Sequence, residues 1–192
     1  MRFILGLIFG FTGGLIMSQS KRFQCYGINT DAELTASIEV AVNLFGLNAN
    51  KDDLRNLLIE TAIAESNYGN AIYDNKRGFG YGAFQFDKVG MKQALSVVES
   101  KGLGNRIKIA SLYNDDLTVK NYLNVYNDFQ LKSILQAILC RMYYLGIKES
   151  IPSTLEGRAK YWKKYYNSEL GAGTPAKYIA RVESFYSKNG KV

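Results

Sequence analysis

Histidine is absent from all 192 residues. That absence removes Ser-His-Asp triads, Cys-His pairs, HExxH zinc sites and any imidazole general base. Cysteine occurs only at Cys25 and Cys140. Two such distant thiols make no zinc motif; they suit either one disulfide in an exported protein or two free, buried thiols. Proline occurs twice and tryptophan once, while 47% of residues are hydrophobic and 21% charged. That balance supports a packed core and argues against a disordered or collagen-like chain. The length suits one domain plus an extension. Chemistry must therefore come from carboxylates, Tyr, Lys or backbone, and no metal or cofactor is expected.

The formal charge is +7, and the excess is placed unevenly. Residues 1 to 96 hold nine basic and nine acidic side chains, whereas the second half holds fifteen basic against eight acidic. A basic half-surface favours an anionic partner, whether nucleic acid, acidic lipid or cell-wall polymer, or is simply a solvated face. Arg158, Lys160, Lys163 and Lys164, interleaved with Trp162 and Tyr165, form the densest basic cluster. No helix-turn-helix, zinc finger or RNP motif accompanies it, so no specific nucleic-acid partner is expected.

Residues 3–19 carry no charge. The apolar run from Phe3 to Met17 includes Gly6, Gly10, Gly13 and Gly14, and it falls short of the roughly 20 apolar residues of a stable membrane helix. No Ala-x-Ala-like cleavage site follows. Residues 1–22 are therefore expected to be a hydrophobic helical signal-anchor or signal segment, and residues 23–192 the folded domain. A buried core helix is the other reading.

Beyond Asn29 the periodicity is mainly helical. Thr30 and Glu33 make a capping-box signature ahead of Leu34, Ile38, Ala41, Val42 and Phe45, with Gly46 as the expected stop. Asn50 caps a second expected helix that runs to about Ser66. Residues 67–90 read as a loop or short hairpin punctuated by Gly78, Gly80 and Gly82. Further helices are expected over 91–100, 130–145, 154–166 and 175–188, the last opened by Thr174 and Pro175. The helix over 130–145 should be the most buried.

Glu65 stands out in the second helix. Leu58, Ala62 and Glu65 are spaced by four and three, which places the glutamate on the apolar stripe. Burial there would raise a carboxyl pKa, which suits a general acid that stays protonated near neutral pH. The other reading is a frayed last turn that points Glu65 to water.

The segment Ala64-Glu65-Ser66-Asn67-Tyr68-Gly69, followed by Gly82-Ala83-Phe84-Gln85-Phe86, resembles the lytic transglycosylases of the goose-type lysozyme-like superfamily (glycoside hydrolase family 23). Residues 138–145, which end in Tyr144-Leu145, are similar to that family's buried helix. Tyr165-Tyr166-Asn167, with Gly171 and Gly173 downstream, is similar to its Ala-Tyr-Asn-Ala-Gly segment, here with a longer spacing. The glycine-rich leader is loosely similar to signal-anchor segments of some exported phage endolysins.

The resemblance implies a mainly α, lysozyme-like domain with a short loop or hairpin region, and Glu65 as catalytic acid and later base. It implies that Ser66, Tyr68, Gly82, Gln85, Tyr144, Tyr166 and Asn167 line the sugar site. The partners it implies are peptidoglycan glycan strands and, through residues 1–22, the inner membrane. The location is then the bacterial cell envelope, exported or tethered, in the host if the protein is phage-encoded.

Ordinary glycosidases pair two carboxyl groups, and Asp74 and Asp87 are the candidates for the second. Lytic transglycosylases need only the glutamate, because the muramic acid 6-hydroxyl attacks intramolecularly. The expected activity is thus lytic transglycosylation, with a hydrolytic muramidase as one alternative. A catalytically idle, membrane-tethered wall-binding protein is the alternative of another class.

Overall fold

The computed structural model describes residues 28, 30–70, 80–129, 132–169 and 171–191. The leader, Cys25 and Asp74 lie outside the described residues. Among the described residues the protein is mainly α-helical, with eight α-helices. None of these helices is long and apolar enough to cross a membrane.

Local signals start the first two helices. Thr30 Oγ1 accepts from the Glu33 amide to open α1 (Asp31–Phe45), which satisfies one of the amides a helix start leaves free. Asn50 Oδ1 accepts from the amides of Asp52 and Asp53 to open α2 (Lys51–Ser66), which ends at Asn67 in the left-handed region. After the turn at 80–86 comes α3 (Lys88–Ser100), begun by Asp87 as its cap. It starts three residues before the expected Met91, because Asp87 supplies an N-cap that the apolar periodicity alone does not show.

Two short helices, α4 (Gly104–Ser111) and α5 (Tyr122–Phe129), were not expected from the sequence. Then come α6 (Ser133–Leu145), α7 (Leu155–Trp162), a π-helical turn over Lys163–Asn167, and α8 (Pro175–Asn189). Thr174 caps α8 with Pro175 in its first turn.

The core forms around α6, which packs against α1 and α3, while α2 packs against α1 and α8. Ten of the 13 residues of α6 are buried. Cys140 is buried there with an unpaired thiol. α2 is buried on nearly every side from Leu54 to Ser66, so its polar residues must find partners inside the protein. Glu60 meets Arg158 of α7 at 2.6 and 2.8 Å, and Tyr178 of α8 donates to the same carboxylate at 3.2 Å. Both ends of this ion pair are nearly sealed from solvent, at 2% and 5% exposed. Arg158 therefore leaves the basic cluster: it is an internal strut between α2 and α7.

Candidate active site

Glu65 sits on the last turn of α2, half-buried at the wall of a cavity of about 520 Å³. Gln85, Asp87, Tyr143, Tyr166 and Asn167 share that lining. Five elements thus line one cavity around the carboxyl: the end of α2, the turn at 80–86, α3, α6 and the π-helical turn. A π-helical turn is a rare backbone form that is frequent at functional sites.

The Glu65 carboxylate has a specific partner. Trp162 Nε1 donates to its Oε1 at 2.9 Å. Arg181 of α8 donates to the Ala64 carbonyl and lends positive charge nearby. Burial pushes the Glu65 pKa up from the usual carboxylate range to about 7, while the Trp162 hydrogen bond and the Arg181 charge pull it down. Burial is the largest of the three effects. The group is poised to hold a proton near neutral pH and to release it into the cavity.

The turn at 80–86 is docked on three sides. Tyr81 and Phe86 exchange backbone hydrogen bonds at 2.8 and 2.9 Å as an isolated bridge. Ser66 donates to the Ala83 carbonyl at 2.7 Å, Gln136 Oε1 accepts from the Ala83 amide at 2.8 Å, and Tyr166 donates to the Phe84 carbonyl at 2.6 Å. Gly82 adopts φ +75°, and a Cβ there would lie 2.6 Å from the Phe129 ring and 2.7 Å from Gln136 Oε1. Only glycine fits. Gln85, at φ +47°, lines the cavity while its Nε2 donates to the Gly82 carbonyl.

Several residues expected to touch sugar are placed elsewhere. Ser66 is fully buried and, besides its bond to Ala83, accepts from the Gly69 amide at 2.7 Å; it ties α2 to the turn. Tyr68 is fully buried, its hydroxyl 2.8 Å from Thr35 Oγ1 and its ring against Phe185. Tyr144 is buried with its hydroxyl 2.9 Å from Thr61 Oγ1, and it stacks on Tyr166 with centroids 5.4 Å apart. Gly82 serves packing, as its neighbours show. These four residues hold the frame, whereas Gln85, Tyr166 and Asn167 reach the cavity.

Of the two candidate second carboxylates, Asp87 lines the same cavity as Glu65, but its Oδ1 accepts from the Gly90 amide at 2.6 Å as the cap of α3. Among the described residues, no group of three or more Cys, Asp or Glu is placed to hold a metal ion.

Three supporting residues were not singled out for the site by the sequence. Trp162 reads there as one aromatic in a basic helix, and Arg181 carries no motif. Lys163 is the third: its Nζ donates to Asn167 Oδ1, the Ser168 carbonyl and the Gly171 carbonyl at 3.0, 2.7 and 2.8 Å. It ties Asn167, Ser168 and Gly171 together at one ammonium. Gly173 then passes so close to the indole that a Cβ would lie 2.4 Å from Trp162 Cη2. The two glycines downstream of Asn167 meet different neighbours: a Cβ on Gly171 would press on Asn167, and one on Gly173 on the Trp162 indole.

Compared with family models, curated proteins and solved structures, the chain finds no match.

Proposed function

We propose that this chain is a peptidoglycan-cleaving lytic transglycosylase that acts on the β-1,4 bond between N-acetylmuramic acid and N-acetylglucosamine. The observation that carries this reading is Glu65, a half-buried carboxyl on a cavity wall whose pKa burial raises to about 7. Glu65 donates its proton to the glycosidic oxygen as the C1–O bond breaks. The resulting carboxylate then takes the proton of the muramic acid 6-hydroxyl as that oxygen bonds to C1, which closes a 1,6-anhydro ring. One carboxyl serves both steps and returns protonated. Gln85, Tyr166 and Asn167 line the sugar site, and Gln85 offers donor and acceptor chemistry for hydroxyl and N-acetyl groups. The basic second half of the chain concentrates the enzyme at an anionic wall. Residues 1–22 direct or tether it to the bacterial envelope.

A hydrolytic muramidase is the second reading, and Asp87 favours it because it shares the cavity with Glu65. Mass spectrometry of muropeptides released from purified walls by the full-length protein decides between the two. Anhydro ends, one water lighter than reducing ends, are the expected product. Reducing ends would replace this reading with the hydrolytic one. Pelleting onto walls without any release would replace both with a wall-binding protein.

A further inference from the structure

Among the described residues two arginines are buried, Arg141 and Arg158, and only Arg158 has a counter-charge there. Arg158 spends its guanidinium fully: Nε and Nη2 on Glu60, and Nη1 on the Ser153 carbonyl at 2.7 Å. Arg141, on α6, is just as deep at 2% exposed. Its Nε donates to the Phe45 carbonyl at 2.8 Å and its Nη2 to the Leu47 carbonyl at 3.1 Å, closing the end of α1. None of the described residues accepts a hydrogen bond from Nη1, and none makes a salt bridge with this guanidinium. Its pKa is lowered to about 10 by burial, with no carboxylate beside it to hold it up. A buried charge without a counter-charge is costly.

Arg141 lines a cavity of about 530 Å³, bounded by the α1–α2 connection, residues 147–151 and Tyr161. Its Nη1 is not sealed inside the protein. Lys101 and Lys148, both exposed, line the same cavity, as do Asp53 and Glu149. Glu149 is matched by Lys164 at 3.6 Å, so the balance of the lining is positive. None of these residues lines the cavity that holds Glu65.

We propose that this second cavity is an oxyanion-binding site, in which Arg141 Nη1 and the Lys148 ammonium take a carboxylate or phosphate group. Both groups present several oxygens, which Nη1 and the ammonium can take separately, whereas a halide offers a single centre. The site is separate from the glycan-cleaving reading and stands without it.

The test is the melting temperature of the full-length protein, titrated in one arm with inorganic phosphate and in another with acetate. Chloride holds the ionic strength constant. A saturable rise with either oxyanion is expected, and the arm with the lower midpoint identifies the group. Lys148→Glu, at an exposed position, should weaken that midpoint about fivefold or more by replacing attraction with repulsion. Lys160→Glu, exposed on α7 and outside the cavity, should leave it unchanged. Arg141→Gln should abolish the response, and the lysine variants keep the test valid if that variant unfolds. No saturable rise in either arm, or equal weakening by Lys148→Glu and Lys160→Glu, would overturn the proposal.

Discussion

Trp162 and Glu65, 97 residues apart, are joined by a hydrogen bond of 2.9 Å from the indole Nε1 to the carboxylate Oε1. The bond favours the charged form of Glu65, in opposition to burial, which favours the neutral one. The proton affinity that burial gives the site is therefore tuned from a helix other than the one that carries the acid.

Removing the indole donor should loosen this restraint. In Trp162→Phe the Glu65 pKa should rise further, since a hydrogen bond to a charged group contributes roughly 1.5 to 3 kcal/mol. The alkaline limb of the wall-lysis pH profile should move up by about one unit. Gly173→Ala should move it the same way, because the added methyl displaces the indole. A limb that stays in place in both variants would show that the bond does not tune the acid.

Glu65→Gln separates catalysis from stability. Loss of general acid chemistry should lower the wall-lysis rate about 100-fold or more. The folded-state pKa of Glu65 is raised, so the folded protein binds more protons than the unfolded chain between about pH 4.5 and 7. Parental stability should thus fall as pH rises through that window. The Gln variant, which carries no titrating group there, should be more stable than the parent above pH 7 by no more than ~3 kcal/mol. It should lose that advantage at acid pH. Urea denaturation at both ends of the window measures the difference, and an advantage independent of pH would refute the assignment.

Glu60→Gln tests the internal strut. The change removes the counter-charge of Arg158 and weakens the acceptor of Tyr178, leaving a buried guanidinium unpaired. A loss of about 3 to 5 kcal/mol is expected in chemical denaturation. Replacing Glu60 and Arg158 together by apolar residues of similar volume should cost much less. Equal losses in the single and double variants would mean that the charge pairing is not what the single change disrupts.

The fold and the site were legible to different depths. Thr30, Asn50 and Thr174 with Pro175 mark helix starts because a cap acts within three residues of chain. The spacing of Leu58, Ala62 and Glu65 puts an acid on an apolar stripe for a similar reason: one helix face repeats over a single turn. α4 left no such mark. It has eight residues and no side-chain cap, and a helix that short depends on tertiary packing.

Asp87 reads as a second catalytic carboxylate or a solvated loop residue, yet it caps α3 beside the cavity. Ser66, Tyr68 and Tyr144 belong to motif-like segments but face inward. A motif preserves the residues that hold a site as well as those that touch a ligand, and spacing does not separate the two.

Chain order alone specified a mainly helical protein, its principal caps and Glu65 as the residue out of place, since all three depend on neighbours a few positions away. The pairing of Trp162 with Glu65, the meeting of Glu60 and Arg158, and the solitary charge of Arg141 were settled only when distant helices packed together. Desolvation and hydrogen bonding act through space, and the indole that tunes the acid's proton affinity lies 97 residues from it along the chain.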